Sequence, residues 1–372
     1  MLETYCLDGI LISIFIFCIL CAFSISYKAQ PITRPPFIIH IIIVLFCAYA
    51  FWDQDYYGYL ESLKLIDLRF PNAEQQTHLE PLYVWIGYFV DGNYTMFRLC
   101  IWIVSYILFL KTLQNWDICS KQSIALFIVY FLLTFSYARV SLGMVSLFYG
   151  VSLLLKPNKK FILNICLGLA MFLLAYNAHK SMFVAIVVLP FIFLRLNKYT
   201  LVIATAIIIV ATVLVGGDTM SDMLIANTVN DEYGELIQES MENYLTSDTT
   251  DKGITAQLLS IMQITSLILP IIYCYTNTTI SKYLSTNRTL RCFVNYSTFL
   301  ILIGISLGLV LSFNSPISYR LIFMAYIPNI IIICTLYKNS MLSKKAYNRF
   351  FFLFTIYSAL RLSYTLYNQL VS

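Results

Sequence analysis

The chain alternates long apolar stretches with short polar connections, and this pattern predicts helices that cross a membrane. Each crossing of a bilayer needs about 20 mostly apolar residues. The stretches lack the period-two alternation of barrel strands, so helices are expected rather than a β-barrel. About twelve crossings are expected, within a range of 11 to 13, at Asp8–Tyr27, Phe37–Trp52, Arg98–Leu113, Gln122–Ala138, Val140–Leu155, Phe161–Asn177, Ser181–Leu194, Thr200–Val215, Thr255–Tyr275, Cys292–Phe313, Leu321–Tyr337 and Phe350–Tyr367.

Composition supports the same fold class, an all-α integral membrane protein with one polytopic domain over residues 1–372. The chain is 59% apolar and 12% charged, whereas soluble domains carry roughly 25% charged residues. The net charge is +5, but the basic residues do not cluster into a patch, so nucleic-acid binding is not expected. The 10 cysteines lack a CxxC pair and lie mostly in apolar stretches, which argues against disulfides and metal sites.

The Lys and Arg residues predict the orientation, because cytoplasmic loops are rich in these residues. Short basic connections taken as cytoplasmic hold 16 of the 24 basic residues. With these loops in the cytoplasm, twelve crossings place both termini outside, provided that Pro81–Val90 does not cross the membrane. If Pro81–Val90 does cross, the orientation of every segment before it is reversed. The first helix is expected to be retained rather than cleaved as a signal, since Glu3 and Asp8 precede it instead of basic residues.

Two acidic loops are predicted at the outer face, at about 53–80 and 217–253. The first has six acids and two bases, and the second has nine acids and one base. Within the second, Leu236, Ile237 and Met241 fit one face of a short amphipathic surface helix, although a solvated acidic loop explains the segment as well.

Two arginines at predicted outer helix ends are candidate ligands for an anion. Arg139 falls at the apex of the hairpin bounded by Lys121 and Lys156, and Arg320 follows an Asn-Ser-Pro turn. A guanidinium presents a planar fork that matches phosphate or carboxylate, so the pair could clamp one diphosphate. The alternative is that each arginine reaches to the lipid headgroups as an interfacial anchor.

Three further outer segments supply candidate chemistry. His179, in Asn-Ala-His-Lys-Ser, has the pKa range of a general base. After the second helix come the carboxylates Asp53 and Asp55 with Tyr56, Tyr57 and Tyr59, which suit sugar binding, although tyrosines also form ordinary interfacial belts. The Asp53-Gln-Asp55 sequence resembles the DxD of metal-dependent sugar transferases, a weak signal alone. Glu80 precedes Pro81 and is expected to begin a helix.

No nucleotide-binding or hydrolase motif is present, including Walker A, HExxH, GxSxG and GxGxxG. Outer-face chemistry then requires an activated substrate that arrives through the membrane. A polyprenyl-diphosphate-linked sugar meets that requirement.

These motifs resemble the EpsG-type branch of the Wzy-like bacterial polysaccharide polymerases. The resemblance covers nearly the whole chain, through Asp53/Asp55-Tyr56, Glu80-Pro-Leu-Tyr, Ala-Arg139-x-Ser-x-Gly143, Asn-x-His179-Lys-Ser and Ser-x-Tyr-Arg320. The family is similar in architecture to O-antigen ligases and C-type glycosyltransferases.

The resemblance implies joining of undecaprenyl-diphosphate-linked oligosaccharide repeats at the outer face of the bacterial cytoplasmic membrane, for capsule, exopolysaccharide or O-antigen. It implies Arg139 and Arg320 as diphosphate ligands, and His179 as catalytic base with Asp55 or Glu80 as alternatives. No cofactor or metal is expected, because two arginines would neutralise the leaving group. A flippase and a chain-length regulator of the same pathway are the implied protein partners. The acidic loop 217–253 departs from the basic outer loops of some polymerases.

Two other functions fit the same pattern. A transporter or flippase of lipid-linked glycans would distribute charges through the membrane, whereas the basic residues here are nearly absent from helix centres, with Arg361 the main exception. A membrane acyltransferase could use His179 as base but would need an acyl donor at the site.

Overall fold

The computed structural model describes residues 2–27, 33–49, 56–67, 80–135, 138–155, 161–193, 199, 203, 206, 254–311 and 321–371. These residues are helical and include no β-strand. In chain order the helices are α1 (Leu2–Tyr27), α2 (Phe37–Tyr49), α3 (Tyr56–Asp67), α4 (Pro81–Phe89), α5 (Tyr94–Asn115), α6 (Lys121–Leu126), a π-helix (Phe127–Phe131), α7 (Leu132–Phe135), α8 (Ala138–Leu155), α9 (Phe161–Ala178), α10 (Met182–Val187), a 3₁₀ turn (Leu189–Phe193), α11 (Ile254–Thr276), α12 (Thr278–Thr286), α13 (Arg288–Leu311), α14 (Tyr326–Lys338) and α15 (Lys344–Val371).

The helices are those of a membrane protein. Within the described ranges, the helices long and apolar enough to cross a bilayer are Tyr94–Asn115, Phe161–Ala178, Arg288–Ser306 and Leu321–Lys338. Shorter apolar helices occupy Leu11–Tyr27, Phe37–Tyr49, Lys121–Phe131, Val140–Leu155 and Ile261–Thr276. The all-helical class is thereby confirmed, and the count of about twelve crossings stays a prediction.

Helix α9 shows the kind of surface that lipid requires. Ile162, Leu169 and Leu173 are 77%, 54% and 66% exposed. An apolar helix face of this kind would promote aggregation in water but matches the acyl chains of a bilayer.

Two expected segments differ from the sequence prediction. The crossing expected at Ser181–Leu194 is instead the six-residue helix α10 followed by a 3₁₀ turn. Pro190 lies in that turn, and proline has no N–H to continue an α-helix. The outer loop expected at about 53–80 contains a helix, α3. The crossing Thr200–Val215 and the surface helix around Leu236 fall almost wholly outside the described residues.

The length of helix α4 shows whether Pro81–Val90 can span the bilayer by itself. It has 9 residues and is therefore about 14 Å long, whereas the hydrocarbon core is about 30 Å thick. This segment cannot cross the bilayer alone. The orientation that depends on it stays a prediction.

The chain groups into two compact units, Met1–Ile186 with Ile330–Ser372, and Val187–Asn329. In the second unit, buried amide side chains join the helices. Asn295 donates through Nδ2 to the Ile192 carbonyl at 3.4 Å and accepts through Oδ1 from the Tyr275 hydroxyl at 3.0 Å. Asn329 donates to the Leu267 carbonyl at 2.8 Å. Such bonds suit helices in lipid, where water does not solvate exposed polar groups.

In the first unit, α8 packs between α5 and α9. Gly150 on α8 lies so near α9 that a Cβ there would come within 2.8 Å of the Phe172 ring and 3.0 Å of the Gly168 carbonyl oxygen. Glycine therefore permits the close approach of these two helices.

Helix α15 docks on the segment formed by α6, the π-helix and α7. The Tyr347 hydroxyl donates to the Gln122 carbonyl at 3.3 Å, and the Phe354 and Tyr130 rings stack with centroids 3.7 Å apart. One turn further, the Ser358 hydroxyl donates to the Val129 carbonyl inside the π-helix. Tyr347 lies at Gln122, whereas the later residues Phe354 and Ser358 lie at Tyr130 and Val129, so the two segments run parallel.

A buried arginine ties α5 to α2. Arg98 is 1% exposed, and its Nη2 donates to the Cys47 carbonyl at 2.7 Å. Its Nη1 donates to the Tyr94 hydroxyl at 3.2 Å. Cys47 lies in the last turn of α2, where the carbonyls carry partial negative charge that a guanidinium stabilises.

Replacing Arg98 with alanine should lower the thermal stability of the purified protein in detergent. The change leaves the buried Cys47 carbonyl without its charged donor, and a hydrogen bond to a charged group contributes about 1.5–3 kcal/mol. The matched control is Arg349→Ala, because Arg349 is exposed at its helix. An Arg98→Ala protein that melts with the control would show that this contact does not stabilise the fold.

Candidate functional site

The His179 segment has a defined geometry at the end of α9. The backbone N–H of His179 continues the helix by donating to the Ala175 carbonyl at 3.0 Å, and the His179 side chain is 4% exposed. Its Nδ1 accepts from the Ser181 backbone N–H at 3.1 Å and lies 2.7 Å from the Ser181 hydroxyl oxygen. The ring thus closes a turn two residues on, as Asn and Asp side chains do.

This turn is continuous with the start of α10. The His179 carbonyl accepts from the Met182 backbone N–H at 2.9 Å. Met182 is fully buried. The buried Met182 side chain is therefore carried by the residue whose backbone bonds to the His179 turn.

Met182 packs against α8 one helical turn beyond position 139. Gly143 lies four residues after Arg139 on α8, and residues four apart share a helix face. A Cβ at position 143 would lie 2.9 Å from Met182 Cγ and 3.2 Å from Met182 Cε. Met182, the residue directly after the motif Asn-x-His179-Lys-Ser, therefore packs against Gly143 at the end of the motif Ala-Arg139-x-Ser-x-Gly143.

Glu80 is the N-cap residue of α4, as the sequence predicted from Glu80-Pro81. Its backbone is extended, with φ −62° and ψ 150°, and its carbonyl accepts from the Tyr83 N–H at 2.8 Å. The carboxylate does not form a capping hydrogen bond. Helix α4 contacts α9, the helix that leads to His179.

The aromatic residues after α2 divide into two groups. Tyr59 is 2% exposed, and its ring packs against Phe97, which also contacts Tyr83. A ring buried in this way joins α3, α4 and α5 and does not present a face to a sugar, so the binding role expected for Tyr59 does not fit its placement. Tyr56 and Tyr57 form the first turn of α3, and their side chains lie outside the described structure.

Several predicted site groups lie outside the described residues. These are Asp53, Asp55 and Arg320, together with the side chain of Arg139, whose backbone is the second residue of α8. The arginine clamp and the sugar-binding carboxylates therefore stay predictions.

Two buried arginines were not predicted as site residues. Arg98 was taken as the start of a crossing, but α5 begins at Tyr94, which places Arg98 one turn inside the helix. Arg361 is 8% exposed and donates to the Tyr357 hydroxyl at 3.1 Å. It lies three residues after Ser358, so the two residues share the face of α15 that meets the π-helix. Arg361 already stood out in the sequence, as a basic residue within an apolar stretch.

The fold and these contacts define a helical membrane protein in which the turn at the end of α9 packs, through Met182, against α8. Residues 33–371 match the EpsG family, and the chain belongs to that family. No curated protein matches the chain, and no solved structure does so.

The contact between Gly143 and Met182 can be tested by substitution. Gly143→Ala should reduce polysaccharide polymerase activity roughly tenfold or more, because small displacements of positioned groups carry large rate penalties. Adding Met182→Ala should restore part of the rate by removing the side chain that collides with the new methyl group. Polymer formed per minute and per folded molecule is the measurement.

Gly150→Ala is the matched control, since position 150 on α8 is equally crowded but contacts Phe172 instead of Met182. It should lower the melting temperature while leaving turnover per folded molecule near the wild-type value. If Gly143→Ala retains wild-type turnover, the packing of Met182 against position 143 is not needed for activity.

Proposed function

We propose that this protein is a polysaccharide polymerase that joins undecaprenyl-diphosphate-linked oligosaccharide repeats at the outer face of the bacterial cytoplasmic membrane. The observation that carries the proposal is membership of the EpsG family across residues 33–371. Such membership suggests a polymerase-type glycosyltransferase. The apolar, helical architecture supplies the membrane location that a lipid-linked substrate needs.

In the proposed reaction, a hydroxyl oxygen of the acceptor glycan attacks the anomeric carbon of the donor glycan. The bond from that carbon to the diphosphate oxygen breaks, and the diphosphate leaves with the electron pair. Arg139 and Arg320 stabilise the charge on the departing diphosphate, which is the largest charge that develops. The hydroxyl proton passes to a base, for which His179, Asp55 and Glu80 are the candidates.

The packing of the His179 turn against α8 supports this proposal. It joins the histidine motif to the helix that carries Arg139, through Met182 and Gly143. Asp53, Tyr56 and Tyr57 are proposed to hold the glycan beside this region. The product is polymer for capsule, exopolysaccharide or O-antigen.

Arg139→Lys and Arg320→Lys test the diphosphate clamp. Lysine keeps the positive charge but loses the planar fork that binds two phosphate oxygens. Each variant should elongate defined lipid-linked repeats at least about tenfold more slowly than wild type, given that two charge-assisted hydrogen bonds are replaced by one point charge. Polymer length on gels, at equal expression, is the readout.

Arg349→Lys provides the control, because Arg349 is an exposed arginine on a different helix, α15. It should polymerise at the wild-type rate. Full polymerisation by both Arg→Lys variants would show that the reaction does not depend on the guanidinium forks of Arg139 and Arg320.

Transport of lipid-linked glycans is the second candidate function. The observation that favours it is the presence of two arginines buried within helices, Arg98 and Arg361, since ionisable groups at membrane depth mark transport pathways. Purified protein in liposomes distinguishes the two functions. Elongation without any ion gradient supports the polymerase, whereas redistribution of substrate between leaflets without elongation supports the transporter.

A further inference from the structure

We propose that a cluster of basic residues in the first compact unit binds the phosphate groups of anionic phospholipids in the leaflet that it faces. The basic cluster consists of Arg34, Lys121, Lys338, Lys344 and Lys345. The orientation predicted from Lys and Arg makes that leaflet the cytoplasmic one. This inference goes beyond the proposed function and does not depend on it.

The turn between α5 and α6 joins the first two members of the cluster. The backbone N–H of Lys121 donates to the Thr33 carbonyl at 2.8 Å, in the connection that carries Arg34. The Arg34 guanidinium also acts on the Cys119 thiol in the same turn. Burial raises the pKa of that thiol, and the positive charge of Arg34 opposes the rise. Arg34 and Lys121 therefore lie on neighbouring segments, although they are far apart in the sequence.

The two C-terminal helices bring the other three members to the same turn. Lys338 ends α14, and its Nζ donates to the Asp117 carbonyl at 2.7 Å. Near the start of α15, the Tyr347 hydroxyl donates to the Gln122 carbonyl at 3.3 Å. The remaining two lysines of the cluster begin α15, within one helical turn of Tyr347. Residues 117–122 thus hold together the segments that carry all five basic residues.

The charges of the cluster are poorly balanced within the chain. Segments 33–36, 116–123 and 334–345 contain the five basic residues and one acidic residue, Asp117. The sequence has no Asp or Glu after Asp251. Folding brings these like charges together against their mutual repulsion. An anion from outside the chain would offset that repulsion.

The neighbouring apolar surface indicates that this anion is a lipid. Arg34 is exposed, and Phe37 and Ile38 in the first turn of α2 are 76% and 57% exposed. A positive charge beside an exposed apolar helix face matches a phosphate group above its acyl chains. The Lys121 Nζ lies 5.1 Å from the centre of the Tyr27 ring, an arrangement that suits the headgroup region. A small soluble anion would leave the apolar face without a partner.

Thermal stability measures this binding without any substrate. A phospholipid that contacts segments distant in the sequence binds the folded chain and not the unfolded one, so it raises the melting temperature. The purified protein is melted in micelles of neutral detergent and phosphatidylcholine, with dioleoylphosphatidylglycerol replacing part of the phosphatidylcholine. The wild-type melting temperature should rise with phosphatidylglycerol, and the midpoint of the rise gives the relative affinity. The rise should shrink at high salt.

A triple variant removes three exposed charges of the cluster, through Arg34→Gln, Lys344→Gln and Lys345→Gln. Its affinity for phosphatidylglycerol should fall roughly 100-fold, at about fivefold for each basic residue near an anionic surface. In phosphatidylcholine alone it should melt at or above the wild-type temperature, because the repulsion is smaller. Opposite effects in the two lipids distinguish lost binding from a damaged fold. Lys345→Gln alone should weaken binding about fivefold and serves where the triple variant does not fold.

Three controls define the site. Arg34→Lys should keep the wild-type response, since attraction to a headgroup needs the charge and not the guanidinium fork. Lys282→Gln removes an exposed lysine of α12, in the other compact unit, and should leave the affinity near the wild-type value. Glycerophosphoglycerol, the soluble headgroup without acyl chains, should not raise the melting temperature.

Four results would overturn the inference. These are a wild-type melting temperature that does not respond to phosphatidylglycerol, a wild-type response in the triple variant, an equal loss in Lys282→Gln, and equal stabilisation by the soluble headgroup. The third result would mean general attraction to a charged surface, and the fourth a site for soluble anions. Polymerase activity does not enter any of these measurements, so failure of the proposed function is distinguishable from failure of this inference.

Discussion

A polar group buried in a bilayer protein is stabilised by a partner within the chain, because a bilayer offers no water to replace it. The structure meets this constraint at carbonyl groups in particular. The Arg98 guanidinium bonds to Cys47, the Ser358 hydroxyl to Val129, and the Asn329 amide to Leu267. Each of these bonds fixes one helix against another. The apolar residues place the helices in the membrane, and the few polar residues determine how they pack.

The same constraint shapes the His179 turn. After α9 ends, the chain must reverse into α10, and the freed Ser181 N–H is satisfied by the imidazole itself. A side chain used in this way is both structural and chemically restricted. The neighbouring glycine at position 143 permits Met182 to approach α8, so the turn is held beside the helix that begins with Ala138-Arg139. The packing of Met182 on Gly143 and the hydrogen bond of the His179 ring are thus consequences of one local arrangement.

The sequence predicted the helical membrane class and the EpsG family because both depend on signals spread over the whole chain. Apolar stretches long enough to cross a bilayer are easy to recognise, although their exact ends are not. The family match covers residues 33–371. The start of α4 at Pro81 was also predictable, since proline at the first position of a helix is a local signal.

Other features could not be predicted, because they depend on tertiary contacts. The helix α3 lies in a polar segment that was expected to be a loop, and it packs through Leu63 and Ile66 onto Gly87 of α4. Tyr59 is of a residue type that suits sugar binding, yet its ring is buried against Phe97. The His179 ring forms a hydrogen bond with the backbone of a residue two positions on, which no motif encodes.

The proposed function requires Arg139, Arg320 and His179 to lie at the outer face of the membrane. The most direct measurement places a single cysteine at each of these positions in a cysteine-free background, and labels intact cells with a membrane-impermeant thiol reagent. The account predicts labelling from outside, and not from the cytosolic side, at all three positions. Labelling of any of the three from the cytosolic side alone would contradict it.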